Sequence, residues 1–121
     1  MVTASIVNSK SKIALSISTG YIFLRPEEII SIQSDGSTTT ANILGSQHVK
    51  INSLLKHIEH DLPSCFFRSH KSHIINLNYM YKYNIKEKYI IMEDESIVPL
   101  SRRRVADFNE FIGKNAFAHT N

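Results

Sequence analysis

The feature that most constrains the fold is a series of ten short apolar segments, none longer than seven residues, separated by turn-forming residues. In Ile13–Ile17 the apolar residues alternate with small ones, the period of a half-buried strand. Asp35-Gly36 is a strong hairpin signal. The predicted strands are Ile13–Ile17, Tyr21–Leu24, Ile29–Ser34, Thr38–Leu44, His48–Ile51, Phe66–Arg68, His73–Ile75, Tyr79–Tyr83, Tyr89–Met92 and Ile97–Leu100. Because helical patterns rarely intervene, the sequence predicts a mainly β fold of small antiparallel sheets.

Two segments depart from this pattern and predict short helices. Asn52 or Ser53 can cap the first, and Pro63 ends it. Its apolar side is formed by Leu54, Leu55, Ile58 and Leu62. Ser101 is the predicted N-cap of the second helix. Its buried stripe is formed by Val105, Phe108, Phe111 and Ile112.

The length of 121 residues predicts one domain, expected over residues 13–112. We expect a flexible lead-in over residues 1–12 and a frayed tail over residues 113–121. The single cysteine, Cys65, excludes an internal disulfide and fits a reducing compartment. The sequence has neither a signal-peptide core nor an apolar run of membrane length, so a cytoplasmic location without a membrane partner is expected. The net charge of +3 permits a polyanionic partner without requiring one.

The run Arg102-Arg103-Arg104 is unexpected at the predicted start of a helix. The helix dipole presents partial positive charge there, so cations are unfavourable unless an anion binds. Phosphate is a suitable anion, because helix N-termini bind it through backbone amides and arginine adds bidentate contacts. The alternative is a solvated basic turn whose arginines pair with Asp107 or Glu110.

Two further polar segments are candidates for the same kind of contact. Residues 66–83 contain Arg68, Lys71 and Lys82 but no acidic residue, and hydroxyl and imidazole groups lie between the cations. Such donors contact phosphate oxygens and base edges; the alternative is a polar strand with core-facing histidines. The hydroxyl-rich run Ser37–Thr40 can contact a nucleic-acid backbone, or it can be a solvent-facing strand of high β propensity.

The ordered set of motifs resembles the LytTR family of DNA-binding domains in bacterial transcriptional regulators. The resemblance rests on the stretch Phe66–Met80, on Val98–Arg104 and on Ile29–Gly36, and it extends over residues 13–112. It implies small antiparallel sheets without a helix-turn-helix, and loops that enter successive major grooves on one face of the duplex. Members commonly follow a receiver domain, as the output domain of a response regulator. The family usually has an aromatic residue where this chain has His73.

The resemblance also implies roles for individual residues. The base-contacting side chains would be Thr38, Lys71 and Arg103. The DNA backbone would be contacted by Ser37, Thr39, Arg68, His70, Ser72, Ser101, Arg102 and Arg104. Double-stranded DNA is thus the expected partner, with a second copy on an adjacent repeat as a further candidate. No catalytic residue, metal, cofactor or small-molecule substrate is expected.

Other functions find less support in the sequence. His70 with Ser72, or Cys65 with a histidine, would need an acidic partner or a glycine elbow to suggest a nucleophilic enzyme. His57 and His60 share a helix face but lack the further ligands of a metal site. The tyrosines could stack on RNA bases, but packing between neighbouring strands explains them more simply. The main alternative is a small β ligand-binding or protein-interaction module that does not bind DNA.

Overall fold

All ten predicted strands are present in the computed structural model, which describes residues 12–116. The strands are β1 (Ile13–Ile17), β2 (Gly20–Leu24), β3 (Ile29–Asp35), β4 (Thr38–Ile43), β5 (Gln47–Ile51), β6 (Phe66–His70), β7 (His73–Asn76), β8 (Met80–Asn84), β9 (Tyr89–Met92) and β10 (Ile97–Pro99). They form a two-stranded, a three-stranded and a five-stranded sheet, and every pairing is antiparallel. The predicted mainly β fold is therefore confirmed.

The central sheet has five strands in the order β5-β4-β3-β7-β6. Two hairpins meet in its middle, where Ile32 of β3 pairs with Ile74 of β7. The turn Gly36-Ser37 closes the first hairpin, and Gly36 has a φ of +65°, which glycine adopts without strain. The turn Lys71-Ser72 closes the second. Both turns lie at one end of the sheet, which we call the loop end.

Each face of the central sheet carries its own hydrophobic core. One core joins Ile32, Ala41 and Ile74 to Leu15 and Leu24 of the β1–β2 hairpin. The other core joins Ile30, Phe67 and Ile75 of the central sheet to the three-stranded sheet β10-β9-β8 and to the C-terminal helix. Burial on both faces fixes the strand register, because a shift by one residue would exchange the two cores.

The first helix is shorter than the sequence predicts. Helix α1 spans only Leu55–Glu59, and its N-cap is Leu54, without a side-chain cap from Asn52 or Ser53. Leu54 is 59% exposed, so its predicted place on the buried side is wrong. Leu55 and Ile58 alone anchor the helix as fully buried residues. One turn is enough because those two side chains fill the space above the sheet.

The second helix, α2, spans Val105–Asn115. Arg102–Arg104 form a separate 3₁₀ turn before it, and Ser101 makes no side-chain cap bond. Ser101 is therefore the N-cap of the 3₁₀ turn and not of α2, and the placement of the arginines in the first turn of the helix is wrong. The predicted tail begins within α2, and residues 1–11 and 117–121 of the predicted lead-in and tail lie outside the described residues. Five strands separate α1 from α2, so these two helices do not form a helix-turn-helix.

No helix among the described residues is long and apolar enough to cross a membrane.

Candidate nucleic-acid interface

The two hairpin turns at the loop end lie side by side. Gln33 of β3 pairs with His73 of β7. One residue further towards the loop end, the Ser34 amide donates a hydrogen bond of 2.8 Å to the Ser72 carbonyl. This bond extends the β3–β7 pairing as far as the Lys71-Ser72 turn. The Gly36-Ser37 turn therefore projects from the same edge of the molecule as the Lys71-Ser72 turn.

The segment Ser101–Arg104 lies next to them, along the outer edge of β6. The Ser101 amide donates a hydrogen bond of 2.8 Å to the Ser69 carbonyl. Neighbouring strands lie about 4.8 Å apart, and four such spacings separate Thr38 on β4 from Ser101 beside β6, so the three segments form a row roughly 19 Å long. We call this surface the basic row. It comprises Ser37–Thr38, Arg68–Ser72 and Ser101–Arg104.

The basic row contains an open cleft of about 410 Å³. The cleft brings together Lys71 from the second hairpin and Arg103 from the segment before α2. The remaining lining residues are Glu59, Arg68, His70, Ser101 and Arg104. The two predicted base-contacting cations thus face one cavity, although 32 positions separate them in the sequence.

Arg68 is already engaged by contacts within the protein. Its Nη1 lies 3.3 Å from a carboxylate oxygen of Glu59, and its Nη2 donates a 2.6 Å hydrogen bond to the Lys71 carbonyl. Its Nε is buried and has no hydrogen-bond partner among residues 12–116. These contacts fix the backbone of the Lys71 turn, so Arg68 supports the hairpin from beneath.

Arg104 is also held in place. Its Nε donates a 3.0 Å hydrogen bond to the Arg68 carbonyl, and its Nη1 lies 2.7 Å from Asp107. Its guanidinium carbon lies 4.8 Å from the centre of the Phe67 ring, a cation–π distance. The suggested pairing with Asp107 is therefore present, but for Arg104 alone. Arg104 joins the third segment of the row to the second.

The other three cations of the row make no ion pair within residues 12–116. Lys71, Arg102 and Arg103 are all exposed. Their charge is not neutralised by a neighbouring acid, and their side chains are free to meet a ligand. Arg103 lines the cleft beside Lys71, whereas Arg102 does not line it. The structure thus separates these adjacent arginines into one facing the cleft and one outside it.

A chain of hydrogen bonds shapes the second turn. The His70 Nδ1 accepts from the Ser72 amide at 3.2 Å and lies 2.8 Å from the Ser72 hydroxyl. The Ser72 hydroxyl lies 2.9 Å from Nδ1 of His73. Because Nδ1 of His70 accepts from the Ser72 amide, Nε2 is the ring nitrogen of His70 that can donate to another group.

Acidification is expected to destabilise the protein through His73. Burial, together with the nearby His70, lowers the pKa of His73 below its ordinary value of about 6.5. The unfolded chain therefore binds a proton at this position before the folded chain does, and stability falls as the pH drops below about 6.5. Urea unfolding of wild type and His73→Phe from pH 7.5 to 5 measures this. The variant should lose less stability on acidification, and an equal loss in both proteins would contradict this account.

The first turn presents part of its predicted set. Ser37 and Thr38 are exposed at the loop end. Thr39 is only 5% exposed, because side chains alternate along β4 and that of Thr39 points to a covered face of the central sheet. Its predicted contact with the DNA backbone is therefore not supported by the structure, and we do not include it in the basic row.

Sequence reasoning missed one residue of the cleft, Glu59. It comes from the last position of α1 and reaches Arg68 on β6. No motif marks it, because only the packing of α1 against the central sheet places this carboxylate at the row. A glutamate here offsets the charge of Arg68 and leaves Lys71 and Arg103 as the unneutralised cations of the cleft.

The described residues contain no group of three or more His, Cys, Asp or Glu side chains arranged to hold a metal ion. His57 and His60, the pair considered from the sequence, are both exposed.

Comparison with known proteins gives one family and one fold. Residues 19–113 match the family model of the LytTr DNA-binding domain. The chain is similar to a solved structure, the LytTr DNA-binding domain of a putative methyl-accepting/DNA response regulator from Bacillus cereus. The TM-score is 0.73 at 22% identity, and the match covers 85% of this chain and 97% of the other. No curated protein matches the sequence.

Proposed function

Because the chain belongs to the LytTR family of DNA-binding domains, which is not catalytic, we propose that its basic row reads a specific double-stranded sequence for a bacterial transcriptional regulator. The observation that carries the proposal is the shared cleft of Lys71 and Arg103. Two exposed cations without an acidic partner, presented by different loops on one surface, suit a duplex better than a small ligand.

We assign the base contacts to one exposed side chain from each segment of the basic row: Arg103, Lys71 and Thr38. Arg103 can form two parallel hydrogen bonds to N7 and O6 of a guanine, the commonest specific contact in the major groove. Lys71 reaches the same acceptors as a single flexible charge and therefore discriminates less sharply. Thr38 is exposed but short, so its methyl group suits contact with the methyl group of thymine.

We assign contacts with the DNA backbone to neighbouring residues of the basic row. Arg102 lies outside the cleft with an unpaired charge, so it would neutralise a phosphate. Short donors suited to phosphate oxygens are Ser37, Ser101 and Nε2 of His70. The amide and hydroxyl of Ser72 instead bond the two histidines, so we assign Ser72 to positioning the turn. Arg68 and Arg104 are committed to internal contacts, and we assign them mainly to positioning the Lys71 turn and the arginine segment.

The length of the row supports contact with more than one groove. A major groove is about 12 Å wide, and the row is about 19 Å long before its side chains are added. We therefore propose that Arg103 and Lys71 enter one major groove. Thr38, at the other end of the row, would approach the next groove on the same face of the duplex.

Selection from random duplexes, followed by anisotropy titration at two salt concentrations, tests this function. We expect the selected duplex to bind at least about 10³-fold more tightly than a scrambled one. Guanine N7 methylation should interfere at the guanines that Arg103 and Lys71 are proposed to contact within one major groove. Equal affinity for both duplexes would overturn specific recognition, and no binding to either would favour the protein-interaction module.

A further inference from the structure

The outer edge of β2 is the unprotected sheet edge of the described chain. Natural proteins guard exposed edges with charges, proline, bulges or a covering segment, because a free edge pairs with other strands. The strand β2 reads Gly-Tyr-Ile-Phe-Leu and carries none of these residues. Tyr21 is 65% exposed and Phe23 is 59% exposed on its outer face.

The other edge strands each have a protecting feature. On β5, Lys50 supplies a charge, and β6 is covered by the hydrogen bond from Ser101 to Ser69. The strand β8 has a bulge and Lys82, and β10 has only three residues, one of them Pro99. The outer edge of β1 is covered by the hydrogen bond from the Asn52 amide to the Ser16 carbonyl, so within residues 12–116 β2 is the one edge strand without such a feature.

The geometry of the β1–β2 hairpin determines which backbone N–H and C=O groups of β2 point away from β1. A two-residue turn joins Ile17 to Gly20, so that closing pair is hydrogen-bonded and the pairs alternate from there. Tyr21 therefore belongs to a non-bonded pair, and its N–H and C=O point away from β1; the same holds for Phe23. The outward carbonyl of Ser16, opposite Tyr21, agrees with this alternation because it accepts from the Asn52 amide.

We propose that the occupant of this edge is β2 of a second copy of the chain, paired antiparallel about a two-fold axis at Ile22. In that register Tyr21 lies opposite Phe23 of the other copy, and each such pair exchanges two backbone hydrogen bonds. The two copies thereby satisfy all eight outward groups of these residues. Isologous pairing of this kind is the commonest way in which identical chains associate.

The side chains fit the same register. Tyr21 meets Phe23 of the other copy twice, and aromatic cross-strand pairs contribute about 0.2–1 kcal/mol each. Arg25 would lie opposite Thr19, so no like charges face each other. The contact is small, so the dimer should be weak and dependent on concentration. The residues of this edge are not residues of the basic row, and the proposal does not depend on DNA binding.

Charged substitutions at Tyr21 and Phe23 test whether these side chains face each other across the dimer. Sedimentation of the DNA-free protein at concentrations up to several hundred micromolar should show a monomer–dimer equilibrium. Y21K/F23K and Y21E/F23E should each be monomeric, because like charges then lie opposite each other. An equimolar mixture should form heterodimers. A wild type that stays monomeric throughout, or a mixture without heterodimers, would overturn the proposal.

A second pair of variants tests the backbone bonds. Tyr21→Pro removes an N–H that points outward, so the β1–β2 hairpin keeps its own bonds. Tyr21→Val keeps that N–H but removes the ring. We expect at least tenfold weaker dimerisation for the proline variant than for the valine variant, at matched circular dichroism spectra. Equal dimerisation would show that the edge is not used. DNA affinity measured on Tyr21→Pro separates this result from the proposed function.

Discussion

Replacement of Arg103 by alanine is expected to weaken binding to the selected duplex by about 1–3 kcal/mol, roughly 5- to 150-fold. The loss arises because Arg103 faces the cleft beside Lys71, without an acidic partner among the described residues, and can fork onto a guanine. Binding to scrambled DNA should fall far less, since only one of several cations is lost. The measurement is an anisotropy titration of both duplexes at matched salt concentrations.

The neighbouring Arg102 provides a matched control. Arg102→Ala removes the same charge from outside the cleft, so it should weaken binding to both duplexes by a similar factor. It should also reduce the slope of log affinity against log salt by about 0.9, the contribution of one phosphate. If Arg103→Ala lowers both affinities equally, or if Arg102→Ala weakens only the selected duplex, the assignment of base and phosphate contacts is wrong.

Replacement of Phe108 by alanine is expected to destabilise the fold by about 3–5 kcal/mol. Phe108 on α2 is 0% exposed, and its ring centre lies 5.2 Å from that of Phe67 and 4.9 Å from that of Tyr83. Its loss leaves a cavity where α2 is attached to the central sheet, directly after the arginine segment. Urea unfolding measures the effect.

A surface aromatic serves as the control for this substitution. Tyr81 is 72% exposed, so Tyr81→Ala should change stability by about 0.5 kcal/mol or less. A loss below about 1 kcal/mol for Phe108→Ala would show that α2 is not anchored as described. DNA affinity measured on the folded fraction of Phe108→Ala then reports whether the arginine segment needs that anchor.

The strands could be predicted from the sequence, whereas the details of the helices could not. Turn residues and short apolar runs are local signals, and the consecutive buried residues of β3 and β7, which are covered on both faces, agree with them. The length of α1 depends instead on how much apolar surface the sheet offers, and only Leu55 and Ile58 find a place there. Leu54 is apolar and correctly spaced, yet it is 59% exposed at the N-cap position, before the helix begins.

For the site, too, the segments could be predicted from the sequence but their arrangement in space could not. The segments that carry Lys71 and Arg103 were identified from residue types and order. Their convergence depends on the Ser34–Ser72 and Ser101–Ser69 backbone hydrogen bonds, which no local pattern encodes. Arg68 and Arg104 are indistinguishable in sequence from the free cations. The tertiary contacts with Glu59 and Phe67, together with the local ion pair of Arg104 and Asp107, show that they hold the row together.

The central claim is that three separate segments form one surface that meets a single duplex. Amide chemical shifts recorded during titration with the selected duplex test it most directly. We predict that Ser37, Ser72 and Arg103 shift together and saturate at the same DNA concentration, while the Leu77–Tyr79 segment at the opposite end of the sheet does not respond. Shifts confined to one of the three segments, or centred on the opposite end, would contradict the claim.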